Sequence, residues 1–298
     1  EKGEATLVPS AGDFYTEPLS DVRIERLSIQ QEKTIPEAVV NLGEIQVTSQ
    51  VKAFRRIQWL TRANLGEVPL DLPPTQLRTV GCWIALQEAG VDQLRSMGQW
   101  TNDPNDYGPD WIRIRNLARR RDHFTCQICG AVETNGQTHH VHHKRPFRTF
   151  TSYEQANQLD NLITLCANCH QRAEMSVKMR SGLAGLSFAI HQMAALHIMS
   201  DINDLGAFSD PQAQISDGKP ALVIYDLVAG GIGFSQRIYQ MLPEILQQTD
   251  ELIRGCECED GCPACVGPAG ENGVGGKNEA LAILSLLNGK MDRYGISG

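Results

Sequence analysis

The sequence predicts an α+β chain: a small zinc-bound module lies between a β-rich segment and a mixed α/β segment that holds a second zinc site. Three observations predict this. The early residues alternate apolar and polar positions, eight of the nine cysteines fall into two compact groups of four, and helical spacing returns around each group. At 298 residues the chain can bury more than one core. The expected segments are 1–98, 99–180 and 181–298.

In the first segment Val22 and Ile24 alternate with charged residues, and Ile45, Val47 and Val51 alternate with polar ones. This is the period of half-buried antiparallel strands. VPLDLPP (68–74) reads as an extended connector, and a short helix is expected around Cys82–Gln87. TNDPNDYGPD (101–110) is a dense loop of turn-formers that marks a change of module. Beyond it Trp111, Ile114, Leu117 and Ala118 recur at helical spacing, leaving arginines on the remaining faces. A Cys-x2-Cys knuckle, a histidine-rich segment and a helix from near Cys169 follow, and the module is expected to end near Ser181–Gly182.

In the third segment Leu183–Met199 is interrupted by His191, Gln192 and His197, so it reads as a buried core helix rather than a membrane span. The two histidines are read as satisfied core groups. ALVIYD (221–226) is a short buried strand, and GGIG (230–233) a tight turn. Ser235 is expected to cap a helix running toward Arg254 that Pro243 kinks or divides. A final helix spans about Asn278 to Asn288, with Gly289 as its stop. The chain opens at Glu1 rather than Met, which points to a native N-terminus further upstream.

The net charge of -8 argues against a simple basic coat for nucleic acid. Between Trp111 and Phe150 the balance reverses. Lys144 and seven arginines (Arg113, Arg115, Arg119, Arg120, Arg121, Arg145 and Arg148) face only Asp122 and Glu133. Such a patch inside an acidic chain is a footprint for phosphate, against the plain alternative of a solvated helix face.

Cys126, Cys129, Cys166 and Cys169 form two Cys-x2-Cys pairs with 36 residues between them, a spacing that can converge on one tetrahedral zinc. Cys256, Cys258, Cys262 and Cys265 form a second compact set beside acidic Glu257, Glu259 and Asp260. Both are read as structural Zn2+ sites, closed to substrate, because no secretory signal supports a disulfide framework. Reduced cysteines of this kind imply a cytoplasmic protein. Cys82, beside Trp83, stands alone as a core residue.

Chemistry is concentrated in THHVHHKRPF and DNLITLCANCHQRAE. Phosphodiester cleavage requires an activated water and neutralisation of charge on the phosphate and the leaving oxygen. Imidazole serves the first need near neutral pH, and a divalent ion serves the second. VHHKRP, Asn161 and then His170 after eight intervening residues resemble the HNH endonuclease motif with its ββα-metal fold, in its zinc-stapled form.

The resemblance covers Trp111 to Met179 and implies a DNA-nicking phosphodiesterase that leaves a 5′-phosphate and a 3′-hydroxyl. It implies His142 and His170 as ligands of a catalytic Mg2+ or Mn2+, His143 as general base and Asn161 as brace of the loop that orients it. Where the family often has a second helix histidine, this chain has Glu174, either a carboxylate ligand suited to hard ions or a solvated glutamate. His139 and His140 form a second doublet, and a shift of register would exchange roles. Val141-His142-His143 matches the family's hydrophobic-His-His order.

The flanks resemble a second family. FYTEP, GEIQVTSQV, VPLDLPP, ALVIYDLVAGGIGFS and IRGCECEDGCPACVGP are similar to the accessory and zinc-binding regions of MrfA-like DEAD/DEAH-box helicases. In that family GLAGLSFAIHQMAAL follows closely on the WIAL segment, which implies that the nuclease is an insertion. No motor is expected within this sequence. GGK at 275–277 has Glu271 in place of the first glycine of a phosphate-binding loop and Asn278 after the lysine. Gln236 stands where a dinucleotide fingerprint needs its third glycine. The expected partners are therefore DNA and helicase motor domains, in the same polypeptide or in a separate subunit. The competing reading is a non-catalytic DNA-binding or motor-docking module.

Overall fold

The computed structural model describes residues 12–61, 63–96, 107–134, 138–145, 150, 152–268 and 276–290, apart from the side chains of residues 171 and 174–176. The first six residues of the loop at 101–110, and the boundary at 98/99, lie outside the described residues.

A seven-stranded antiparallel sheet organises the chain around one long strand. Strands β1 (Phe14–Arg26), β2 (Gln31–Ile35), β3 (Ala38–Gln58), β4 (Asn64–Pro69) and β5 (Thr75–Leu86) come from the first segment. β3 is long enough to be shared on both edges. β2 and then β1 pair along one edge, β5 and then β4 along the other. Strands β8 (Leu205–Ala213) and β9 (Lys219–Asp226) come from the third segment, with β9 pairing β5. The first and third segments therefore build one sheet, in the order β1-β3-β5-β9-β8.

Period-two alternation sorts the sheet's side chains onto two cores. Val40, Leu42, Cys82, Ile84, Leu222 and Ile224 face the helices. Ile45, Val47, Trp83, Ala85, Val223 and Tyr225 face the other side, where Ala213 and Ile215 cover them. Because β5 is buried on both faces, VGCWIAL is a continuous apolar run, and the helix expected at Cys82–Gln87 is instead the end of this strand. Cys82 is a core residue as expected, and burial pushes its thiol up to about 12.

The longer helices among the described residues are α1 (Glu88–Ser96), α2 (Trp111–Arg121), α4 (Ala167–Ile198), α5 (Phe234–Gln240), α6 (Leu242–Gly255) and α7 (Lys277–Leu287). Pro243 divides α5 from α6, within the first turn of the latter. Ser235 is not a cap. It is buried, and its hydroxyl donates to Val80 O and Asp226 Oδ1. Asp226 takes the capping role, accepting from the backbone N–H groups of Ile232, Gly233, Phe234 and Ser235. The GGIG turn is thus closed by a buried carboxylate from its own strand. His191 and His197 are satisfied by the carbonyls of Leu205 and Met193.

Helix α4 is the main structural link to the small module. Its 32 residues run unbroken through the expected 180/181 boundary, about 48 Å from end to end. Met179, Leu183, Leu186, Ala189, Ile190 and Ala194 enter the helix-side core. Gly182 lets α7 approach closely: a Cβ there would stand 2.9 Å from the backbone of Glu279. The start of the same helix, with Cys169 and His170, belongs to the module. There β6 (His140–His143) and β7 (Leu162–Leu165) form a two-stranded antiparallel sheet against α2 and α4, joined by a loop containing the one-turn helix α3 (Tyr153–Ala156).

Candidate active site and metal centres

Each cysteine group converges in space. The four sulfurs of Cys126, Cys129, Cys166 and Cys169 lie within 4.8 Å of one another, as do those of Cys256, Cys258, Cys262 and Cys265. Individual separations are 3.7 Å for Cys129–Cys166, 3.6 Å for Cys256–Cys262 and 3.5 Å for Cys258–Cys265. Four thiolates around zinc stand about 3.8 Å apart, given Zn–S bonds near ~2.3 Å, whereas a disulfide would require about 2.05 Å. Both groups have the geometry of a four-cysteine zinc site.

Local structure explains the first site. Cys126 and Cys129 sit on a knuckle in which Gly130 takes φ +74° and donates to Cys126 O at 2.9 Å. Cys166 immediately precedes α4, and Cys169 lies in its first turn. Burial works against ionisation of Cys126, but backbone N–H groups of Cys129, Cys166 and Ile128 outweigh it and bring the thiol to about 6, suited to metal binding. At the second site Lys277 donates to Cys256 O and Cys258 O, both at 2.6 Å, and lies 3.8 Å from Cys258 Sγ.

Strand geometry sorts the histidines. His140 and His142 lie two apart on β6 and share the face toward α4. The His142 and His170 rings meet edge to face at 5.4 Å, and the His140 and His170 rings stack at 4.7 Å. Val141 and His143 face the other way. Val141 packs with Ala118 and Leu162 against α2. His143 stacks on Tyr107 at 5.6 Å and Trp111 at 5.3 Å, and its Nε2 pairs with Asn157 Oδ1 at 3.0 Å. The amide nitrogen of Asn157 donates to Tyr107 O at 2.8 Å, which turns its oxygen toward His143. His143 Nε2 is therefore the protonated nitrogen, and Nδ1 is the ring's acceptor. His139 is held by the backbone, with Nε2 2.8 Å from Ala131 O.

Asn161 spans the loop between β6 and β7. Its Oδ1 accepts from Arg145 N at 2.9 Å, and its Nδ2 donates to Ala156 O at 2.9 Å. One amide thus ties Arg145, just after β6, to Ala156, the residue that precedes Asn157. Glu174 lies one turn beyond His170 on α4, but its side chain is outside the described residues, as is Arg148.

The basic residues divide by partner. Arg119 forms a two-point ion pair with Glu133 at 2.6 and 2.8 Å, with both side chains largely buried. That hydrogen bond, against opposing burial, holds Glu133 below the ordinary carboxylate range. Arg121 is spent on Asp122 and on Leu159 O and Leu162 O. These two arginines staple the module together and leave the expected phosphate-binding set, because Glu133 occupies the Arg119 guanidinium, and the neighbouring Asp122 with the distant Leu159 and Leu162 carbonyls occupies that of Arg121. Arg113, Arg120, Lys144 and Arg145 remain exposed, and Arg115 is half-buried.

Residues 126–175 match the HNH endonuclease family. The module is an HNH domain. Residues 186–266, which follow the HNH domain along α4, match the MrfA Zn-binding domain. The chain is 29% identical over 96 residues to a "Probable HNH endonuclease" of Lactococcus phage SK1, covering 32% of this chain and 94% of that one. It is 21% identical over 276 residues to the "Uncharacterized ATP-dependent helicase YprA" of Bacillus subtilis (strain 168), covering 93% of this chain and 26% of that protein. A DUF1998 helicase MrfA, solved bound to DNA, superposes with a TM-score of 0.50 at 19% identity, covering 93% of this chain and 26% of that one. The chain thus spans about a quarter of the helicase relative's length. Among the described residues, no helix is long and apolar enough to cross a membrane.

Three residues of the HNH site escaped the sequence analysis: Asn157, Tyr107 and His140 as a neighbour of His170. Asn157 stands four residues before Asn161 in a polar stretch, and nothing in that stretch distinguishes it. Strand alternation alone would have placed His140 with His142.

Proposed function

We propose that the chain is a metal-dependent DNA endonuclease whose HNH domain hydrolyses single phosphodiester bonds within a helicase-associated frame. The observation that carries this reading is the locked orientation of His143. Asn157 fixes its tautomer and two aromatic rings fix its plane, an arrangement that a purely DNA-binding knuckle would not need. His143 Nδ1 takes the proton of the attacking water. The water oxygen bonds to phosphorus, the P–O3′ bond breaks, and the departing oxygen is protonated from solvent, leaving a 5′-phosphate and a 3′-hydroxyl. Asn157 is the positioning residue, and Asn161 braces the loop that holds it.

The imidazoles of His142 and His170, with Glu174 as a further donor, suit a divalent ion such as Mg2+ or Mn2+. Such an ion would neutralise charge on the phosphate and the departing oxygen. Arg113, Arg115, Arg120, Lys144, Arg145 and Arg148 hold backbone phosphates without reading sequence. In this reading residues 99–180 are the nuclease, residues 1–98 and 181–298 form its host, and the partners are DNA and helicase motor domains. Plasmid nicking in Mg2+ or Mn2+ tests it. His143→Ala should slow nicking by about 10²–10⁴-fold. A variant that nicks as fast as the parent would sink the assignment.

A further inference from the structure

We propose that His140 is a third imidazole ligand of the divalent ion at the HNH site, so that His140, His142 and His170 hold it together. This rests on the reading above that His142 and His170 face that ion. The pairing of β6 with β7 sets His140 opposite Leu165 and His142 opposite Ile163, so both histidines project from one face of the strand. His170 projects toward the same face from the first turn of α4 and touches both, at 4.7 Å from the His140 ring and 5.4 Å from the His142 ring. The three rings stand in contact rather than in coordination geometry. His142 is buried and His140 exposed, so His140 is the ring with room to turn.

The other two histidines of the segment are committed elsewhere, His139 to Ala131 O and His143 to the stack with Asn157. Two residues of strand period thus supply from β6 the donor that the family often supplies from the helix. Three neutral imidazoles, with positions left for water and phosphate, favour transition-metal ions such as Co2+, and to a lesser degree Mn2+, over Mg2+.

The test is calorimetric titration of Mn2+ into the full chain, with both four-cysteine sites zinc-loaded and verified by metal content. His140→Ala should weaken Mn2+ binding by about tenfold or more, a loss that even an outer-shell partner of a metal site can cause. His140→Asp, which restores a donor, should recover binding and shift preference toward Mg2+. If His142→Ala destroys binding while His140→Ala leaves it unchanged, the three-imidazole site is wrong and the nuclease reading stands. If neither His142→Ala nor His170→Ala alters Mn2+ binding, the underlying reading fails as well.

Discussion

The two zinc sites use the same four ligands to different ends. In the HNH domain the first site has little beneath it. Among the described residues its neighbours are Leu165, Ile163 and Ala173, and the adjoining apolar cluster buries Ala118, Val141 and Leu162. Cys129 is exposed. In the host the second site leans on an existing core: Cys265 is one of its members, and Cys256, Cys258 and Cys262 pack against it. Lys277 further ties two of that site's carbonyls to the start of α7. Zinc in the first case replaces a hydrophobic core, whereas in the second it pins a loop to one.

The sharpest way to break this comparison is to remove one ligand from each site. Cys126→Ser should abolish nicking and unfold the HNH domain while the host retains its cooperative melt. Cys262→Ser should leave a folded HNH domain. Equal damage to both domains from either change, read by hydrogen exchange, would show that the sites are not independent. Next in size is Asn157→Leu, expected to lower kcat by up to about 100-fold with KM nearly unchanged, because it releases His143 without touching zinc or phosphate contacts. Loss of the first zinc in that variant would mark Asn157 as structural instead.

Gly182→Val probes the link between the regions. A side chain there meets the α7 backbone at Glu279, so the host should lose about 1–3 kcal/mol in denaturant unfolding, with zinc content intact. An unchanged midpoint would mean that α4 and α7 yield freely. The smallest effect concerns pH. Glu133 is held below its ordinary value by Arg119, so the pair's contribution is complete above the unfolded carboxylate range, near ~4.5, and is lost as pH falls through the depressed folded value. The gap in melting midpoint between parent and Glu133→Gln should be constant above about pH 5.5 and close on further acidification. A gap that widens toward acid would reverse the sign and overturn the assignment.

Legibility differed with the range of the interactions. Both ligand sets were readable because zinc demands cysteines at short, paired spacing, and the chain can satisfy that demand in few ways. The strands of the first segment were readable where one face is wet, as at Val22 and Ile24, and misread at Cys82–Gln87 where both faces are buried. The arginine patch was read as one surface, yet Arg119 and Arg121 are held by Glu133 and by carbonyls at Leu159 and Leu162 that no local pattern connects to them.

By itself the sequence determined which atoms could bind zinc, which histidines stood near Asn161 and His170, and that an HNH domain lay between two other segments. Only the tertiary structure decided which faces those histidines share, and that the outer segments close into one sheet through β5 and β9. It also decided that α4 carries the HNH domain into the host core. Ligand identity is a property of residues a few positions apart, while facing and pairing depend on chain segments that meet only when the cores form.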